Sequence, residues 1–240
     1  VRDNEGNGIE HWYCGGSIGR STIFSNQGCG IWVTGPTYQY PTTPDAPMLL
    51  WMNLIYGNHG GEGGGVQCSN GANPILRNNT IVRNFGGFGA GVSSIGSEPT
   101  MENSIIAFND GAAGIRCDEA HPVTVRYCNV FGHGGGNYTG MDDATGENGN
   151  IAVDPLFADA AHSDYHLRSA AGRWQRGQWV TDIETCPCID AGDSQRSVGD
   201  EPAPNGGRCN MGAYGTTERA SRSPATRSGG PRSRGGGRPH

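Results

Sequence analysis

The densest set of acid and base side chains is CDEAH at 117–121, directly after Arg116. Arg116, Asp118, Glu119 and His121 are therefore the candidate catalytic residues. Eliminative cleavage of a uronate polymer needs a cation against the sugar carboxylate and a base at the α-carbon, roles open to arginine and histidine. Hydrolysis instead needs two carboxylates at a defined separation. Asp118 and Glu119 are adjacent, and on a strand they would face opposite ways. All 17 basic side chains are arginine, so lysine-base and Schiff-base chemistry are excluded. No serine elbow, phosphate loop or HExxH motif occurs.

A second set suits binding. Trp51, Arg77, Glu102 and Arg126 recur at one position of a repeat described below, and Trp32 shares another such position with Glu10, Gln67, Ser93 and Arg116. Tryptophan stacks on sugar faces and arginine pairs with carboxylates. The same charge alternation also serves plain pairing between neighbouring strands. A third set, Asp142, Asp143 and Glu147 with Asp190 and Asp193, places hard oxygen donors on glycine-rich loops. Calcium is the one cofactor such loops could take, although neither follows the EF-hand spacing. The other reading of both loops is a polar cover for the end of the fold.

These residues need a scaffold that repeats, and the sequence supplies one. The stretches STIFSN, NLIYGN, NNTIVRN, SIIAFN and CNVFGH end on Asn26, Asn58, Asn84, Asn109 and His133, at intervals of 32, 26, 25 and 24 residues. Such a period marks a stacked solenoid. Three residues before each anchor stand Ile23, Ile55, Ile81, Ile106 and Val130, and eight before it Ile18, Leu50, Leu76, Met101 and Val125. A glycine-led third segment follows: GIWV, GVQC, GVSS and GIRC. Three short strands per coil, each burying one face against the coils above and below, predict an all-β, right-handed parallel β-helix. The asparagines are read as turn formers that hydrogen-bond from coil to coil, not as catalytic groups.

Composition agrees. The 240 residues include 42 glycines, only 34% are hydrophobic, and the mean hydropathy is −0.53, too little apolar side chain for a thick core. Coils are expected over 1–133, with Val1 to Ile9 reading as the middle of a repeat and more chain expected before it. A C-terminal coil and cap follow over 134–215. Residues 216–240 carry six arginines against one glutamate and form an expected disordered tail, while the body is acidic in a chain of net charge −6. The eight cysteines, Cys186 and Cys188 of CPCID included, are read as packing residues, since no pair of CxxC motifs occurs.

After His133 come GNIAVDPLF, DYHL, CIDAGD and NMGAYG. With the asparagine repeat, these words resemble secreted bacterial β-helix repeat proteins of the pectate-lyase-like superfamily, over roughly residues 1–220. Cys186 and Cys209 depart from the family's usual serine and aliphatic residue. The resemblance implies a secreted or cell-surface, glycan-associated setting and no single reaction. Polysaccharide is the expected partner and a monomer the expected state. Its signal peptide lies outside this chain. Neither a nucleic-acid partner nor a membrane span is expected. Three functions stay open: a β-helix that binds polysaccharide, a lyase or hydrolase of acidic glycans, and a structural or adhesive protein.

Overall fold

A computed structural model describes residues 1–12, 15–35 and 47–224. Among the described residues the fold is all-β apart from one short 3-10 turn at Ala160–His162, and three parallel sheets wrap into a β-helix. The first sheet stacks Gly16–Gly19, Met48–Trp51, Ile75–Arg77, Thr100–Glu102 and Thr124–Arg126. The second stacks Thr22–Phe24, Leu54–Tyr56, Thr80–Val82, Ile105–Ala107 and Asn129–Phe131. The third stacks Ile9–Trp12, Ile31–Thr34, Val66–Ser69, Gly89–Ile95, Ala113–Cys117 and Tyr138–Thr139.

Register follows the apolar columns. Ile23 pairs through Ile55, Ile81 and Ile106 to Val130, and Ile18 through Leu50, Leu76 and Met101 to Val125. These side chains, with Ile31, Val66, Val92 and Ile115, form the inner core. Cys68, Ser94 and Cys117 share one column. All seven described cysteines are buried free thiols, and Cys14 lies outside the described residues. Burial pushes the Cys68 and Cys128 thiols up to about 12, which removes them as thiolate nucleophiles.

The anchors form a continuous ladder. Each Nδ2 donates to the next Oδ1: Asn26 to Asn58 at 2.7 Å, Asn58 to Asn84 at 2.9 Å and Asn84 to Asn109 at 3.0 Å. The Asn109 backbone N–H then donates to His133 Nδ1 at 3.2 Å. Desolvation lowers this imidazole to about 4, so it stays neutral and ends the ladder as an acceptor. The left-handed backbone sits one residue earlier than expected, at Ser25, Gly57, Arg83, Phe108 and Gly132. The anchor itself is then free to aim its amide into the coil. The glycine opening each third strand has a related cause: a Cβ on Gly91 would lie 3.0 Å from Asn109 Nδ2 and 2.6 Å from the Ile106 side chain.

Beyond His133 one more rung is added. The coil continues: Asn150 Oδ1 accepts from Cys128 N at 3.0 Å, and Ile151 pairs with Asn129. Asn150 follows Cys128 by 22 residues, but Pro155 stands where the next anchor would fall, which hides this rung from the anchor spacing. The chain then runs back along the outer face of the second sheet. Leu54, Val82, Ile105 and Ala107 face outward there and pack against Phe157, Tyr165, Leu167, Cys188, Ile189 and Met211. The words DPLF, DYHL, CPCID and NMGAYG thus each plug one flank of the helix, so the region covers a side of it.

The expected disordered tail begins too early. Residues 216–224 are fixed by Ser221 Oγ donating to Leu167 O at 2.6 Å, Ser223 Oγ to Asp190 Oδ1 at 2.6 Å, and the Arg222 guanidinium 3.9 Å over Trp179. Charge composition alone could not show these partners. The rest of that expectation, 225–240, lies outside the described residues.

Two outcomes follow. Asn84→Ala removes the acceptor of the Asn58 backbone amide, one acceptor of Asn58 Nδ2 and the side-chain donor to the Ile55 carbonyl, so urea unfolding should show a loss on the order of 3 kcal/mol. Glu201 is buried beneath the C-terminal segment, and desolvation raises its carboxyl to about 7 despite hydrogen bonds from the Thr216 and Asn210 amides. Its folded pKa lies above the unfolded one, so this group's contribution is fully present below about pH 4.5 and is lost as pH rises through 7. Glu201→Gln should flatten that decline in thermal midpoints measured across pH 4.5 to 8.

Candidate functional site

On a β-helix, residues alternate between the core and the outer face. Because Leu50, Leu76, Met101 and Val125 point inward, Trp51, Arg77, Glu102 and Arg126 stand together outside on the first sheet, in register. Glu102 is the hub. Its carboxylate, only 4% exposed, accepts Arg77 Nε at 2.9 Å, Arg126 Nε at 3.0 Å and Arg196 Nη2 at 3.0 Å. Burial would raise its pKa, but the hydrogen bonds and charges of Arg126 and Arg77 prevail and hold it below the usual carboxylate range.

Arg196 belongs to the C-terminal segment, 94 positions from Glu102, and nothing in the repeat pointed to it. It is brought there by the turn at Asp193, whose backbone N–H donates to Asn103 Oδ1 at 2.8 Å and whose carboxylate lies 4.0 Å from Arg196 Nε. Three guanidiniums thus face two carboxylates, leaving positive charge at the surface of an acidic protein. Arg20 lies 5.2 Å over the Trp51 ring. Between Trp51, Arg77, Arg196 and Thr216 opens a cleft of about 420 Å³.

Trp32 and Arg116 lie on the third sheet, and Asp118, Glu119 and His121 on the turn after its strand Ala113–Cys117, away from this cleft. Glu10, Trp32, Gln67, Ser93 and Arg116 form one outward column. Trp32 packs edge-on to Trp12 at 5.4 Å and donates to Ser69 Oγ at 3.0 Å. Arg116 lies 4.9 Å over the Phe88 ring. Asp118 and His121 do pair: His121 Nδ1 is 2.6 Å from Asp118 Oδ1, while Asp118 Oδ2 accepts the Gly96 amide at 2.6 Å. The Gly96 and His121 hydrogen bonds hold the Asp118 carboxyl low. With the carboxylate on Nδ1, the proton sits there and Nε2 is left as the free nitrogen. Glu119 is exposed on the same turn, beyond the end of the strand.

The five proposed metal ligands are dispersed. Asp142 and Glu147 are exposed, and Asp143 Oδ1 accepts the Thr145 amide at 2.9 Å. Asp190 bonds Ser223, with burial raising its carboxyl, whereas Asp193 joins the arginine cluster. Among the described residues no three His, Cys, Asp or Glu side chains gather into a set that could hold a metal ion. No described helix is long and apolar enough to cross a membrane.

A family model described as disaggregatase related, for a family of parallel β-helix type, matches residues 17–192, well over half of the chain. No curated protein and no solved structure matches it.

Glu102→Ala would leave three guanidiniums facing one another without their shared acceptor. Hydrogen bonds to charged groups are worth about 1.5–3 kcal/mol, and the arginine heads are partly hydrated. A loss of about 3 kcal/mol in denaturant unfolding is expected, partly recovered by adding Arg196→Ala.

Proposed function

The chain belongs to the disaggregatase-related family, and from that premise we propose that it is an extracellular β-helix protein that binds an acidic, uronate-containing polysaccharide over Trp51. The arrangement of Arg77, Arg126 and Arg196 around Glu102 carries this reading. Their side chains remain 29%, 45% and 41% exposed, so each keeps donors for a ligand. A guanidinium fork matches a carboxylate in shape as well as charge, and the indole of Trp51 offers an apolar face for a sugar ring. The buried Glu102 fixes the forks in place before a ligand arrives, which lowers the entropy cost of binding. The word disaggregatase in the family's description names an action on aggregates, which fits a protein that engages a shared polymer.

A catalytic reading has one specific observation in its favour, the Asp118–His121 pair. An imidazole held by a carboxylate on Nδ1 presents Nε2 as a base, and Arg116 and Trp32 occupy the same sheet. On this reading the protein is a lyase or hydrolase of acidic glycans.

Affinity electrophoresis in gels containing acidic or neutral polysaccharides separates these readings. Retardation is expected in acidic gels alone, falling with added salt and weakened about tenfold in Trp51→Ala or Arg77→Ala, the loss of one charged hydrogen bond or stacking contact. Equal retardation of both variants and wild type would sink the binding reading. Release of unsaturated uronate or reducing ends, abolished by His121→Ala, would establish catalysis at the third sheet.

A further inference from the structure

The cleft over Trp51 does not end at the first sheet. Met52 lines it and also lines a neighbouring hollow of about 500 Å³, walled by Arg20, Thr22, Asp200 and Arg219. Tyr214 closes that hollow and lines a third, of about 250 Å³. The first two lie along the seam where the C-terminal segment packs against the coils, and the third opens within that segment next to it.

The third hollow contains two imidazoles, each oriented by an aspartate. His162 Nδ1 is 2.7 Å from Asp159 Oδ2, and His166 Nδ1 is 2.6 Å from Asp164 Oδ1. His166 is the more firmly held. Its ring stacks on Tyr214 at 3.7 Å and 17°, and Arg173 stands behind Asp164 at 3.6 Å, itself anchored on Asp182 at 3.0 Å. The carboxylate holds the proton on Nδ1, so Nε2 presents a lone pair. That atom is buried and has no hydrogen-bond partner in the protein. An unsatisfied buried acceptor costs about 1–3 kcal/mol, and a hydroxyl donor would remove the cost. The volume falls below the roughly 300–1,000 Å³ of pockets for drug-sized ligands, which leaves room for a single ring.

We infer that this hollow is a sugar-ring subsite in which a ligand hydroxyl donates to His166 Nε2, and that one glycan chain follows the seam from Trp51 past Arg20 and Arg219 to His166. The inference rests on the reading of the Trp51 cleft and extends it. Arg20 and Arg219 supply cations for carboxylates along the way. Gln175 and Arg176 rim the far pocket and add hydrogen-bond donors to the ring.

Calorimetric titration with a short and a long oligomer of whichever acidic glycan is retarded in the gels, or of polygalacturonate if none is, tests the inference. Wild type should gain about tenfold in affinity from short to long, the worth of one added polar contact. His166→Phe keeps the ring on Tyr214 but removes the acceptor, and should erase that gain while leaving the short oligomer's affinity unchanged. Arg176 is exposed, so Arg176→Ala serves if His166→Phe fails to fold, and should reduce the same gain. The imidazole nitrogen resonance of His166 should shift with the long oligomer alone. A full length-dependent gain in whichever of these variants fold overturns the subsite while the Trp51 reading stands. Absence of binding by either oligomer to wild type overturns both.

Discussion

Everything in this β-helix depends on satisfying the polar groups of turns that have been taken out of water. A coil of three short strands turns sharply inside its own wall, and each turn strands amide and carbonyl groups that are costly to bury unpaired. The asparagine ladder meets that need by using neighbouring coils as partners. Each side chain accepts from the coil before it and donates to the coil after it as well as back to a carbonyl such as that of Ile55 or Ile81. Asn58 and Asn84 therefore share the same surroundings and the same geometry. His133 can replace an asparagine at the end because a neutral imidazole also carries one acceptor and one donor, the latter reaching the Ile106 carbonyl at 3.1 Å.

That regularity sets what the outer faces can do. Strands locked in register hold outward side chains in straight columns, so Trp51, Arg77, Glu102 and Arg126 are positioned by the ladder as surely as the core is. The three faces then part company. The second sheet is apolar outside as well as inside, at Leu54, Val82, Ile105 and Ala107, and must be covered. The first and third carry charges and aromatics and remain open in part.

Covering the second sheet also builds the site. The segment after Ile151 docks through Phe157, Tyr165, Leu167 and Met211, and its margins hang over the edge of the first sheet. Arg196 and Asp193 reach the Glu102 cluster in this way, and Tyr214 lines the seam with His166 stacked behind it. An interaction that began as burial of apolar surface thus brings positive charge, an indole and an oriented imidazole onto one side of the molecule. The Asp118–His121 pair, on the turn after a strand of the third sheet, is built from local sequence and steadied by the Gly96 amide of the neighbouring coil.

The sequence by itself determined the coil: the apolar columns, the ladder and the composition of each outward column are written at a fixed period, because each coil meets only its neighbours and so repeats their constraints. It also marked Asp118 with His121, which lie three residues apart. It could not join Trp51 and Arg77 to Arg196, nor separate them from Trp32 and Arg116, since those relations depend on which sheet each column occupies and on where an aperiodic segment docks. Nor could the charge of residues 216–224 reveal that Ser221, Arg222 and Ser223 find partners in the fold. Only the tertiary structure decided these points. Its reason is physical: periodic contacts repeat a local rule, whereas the docking of the C-terminal segment is a single long-range fit of apolar plugs to one covered face.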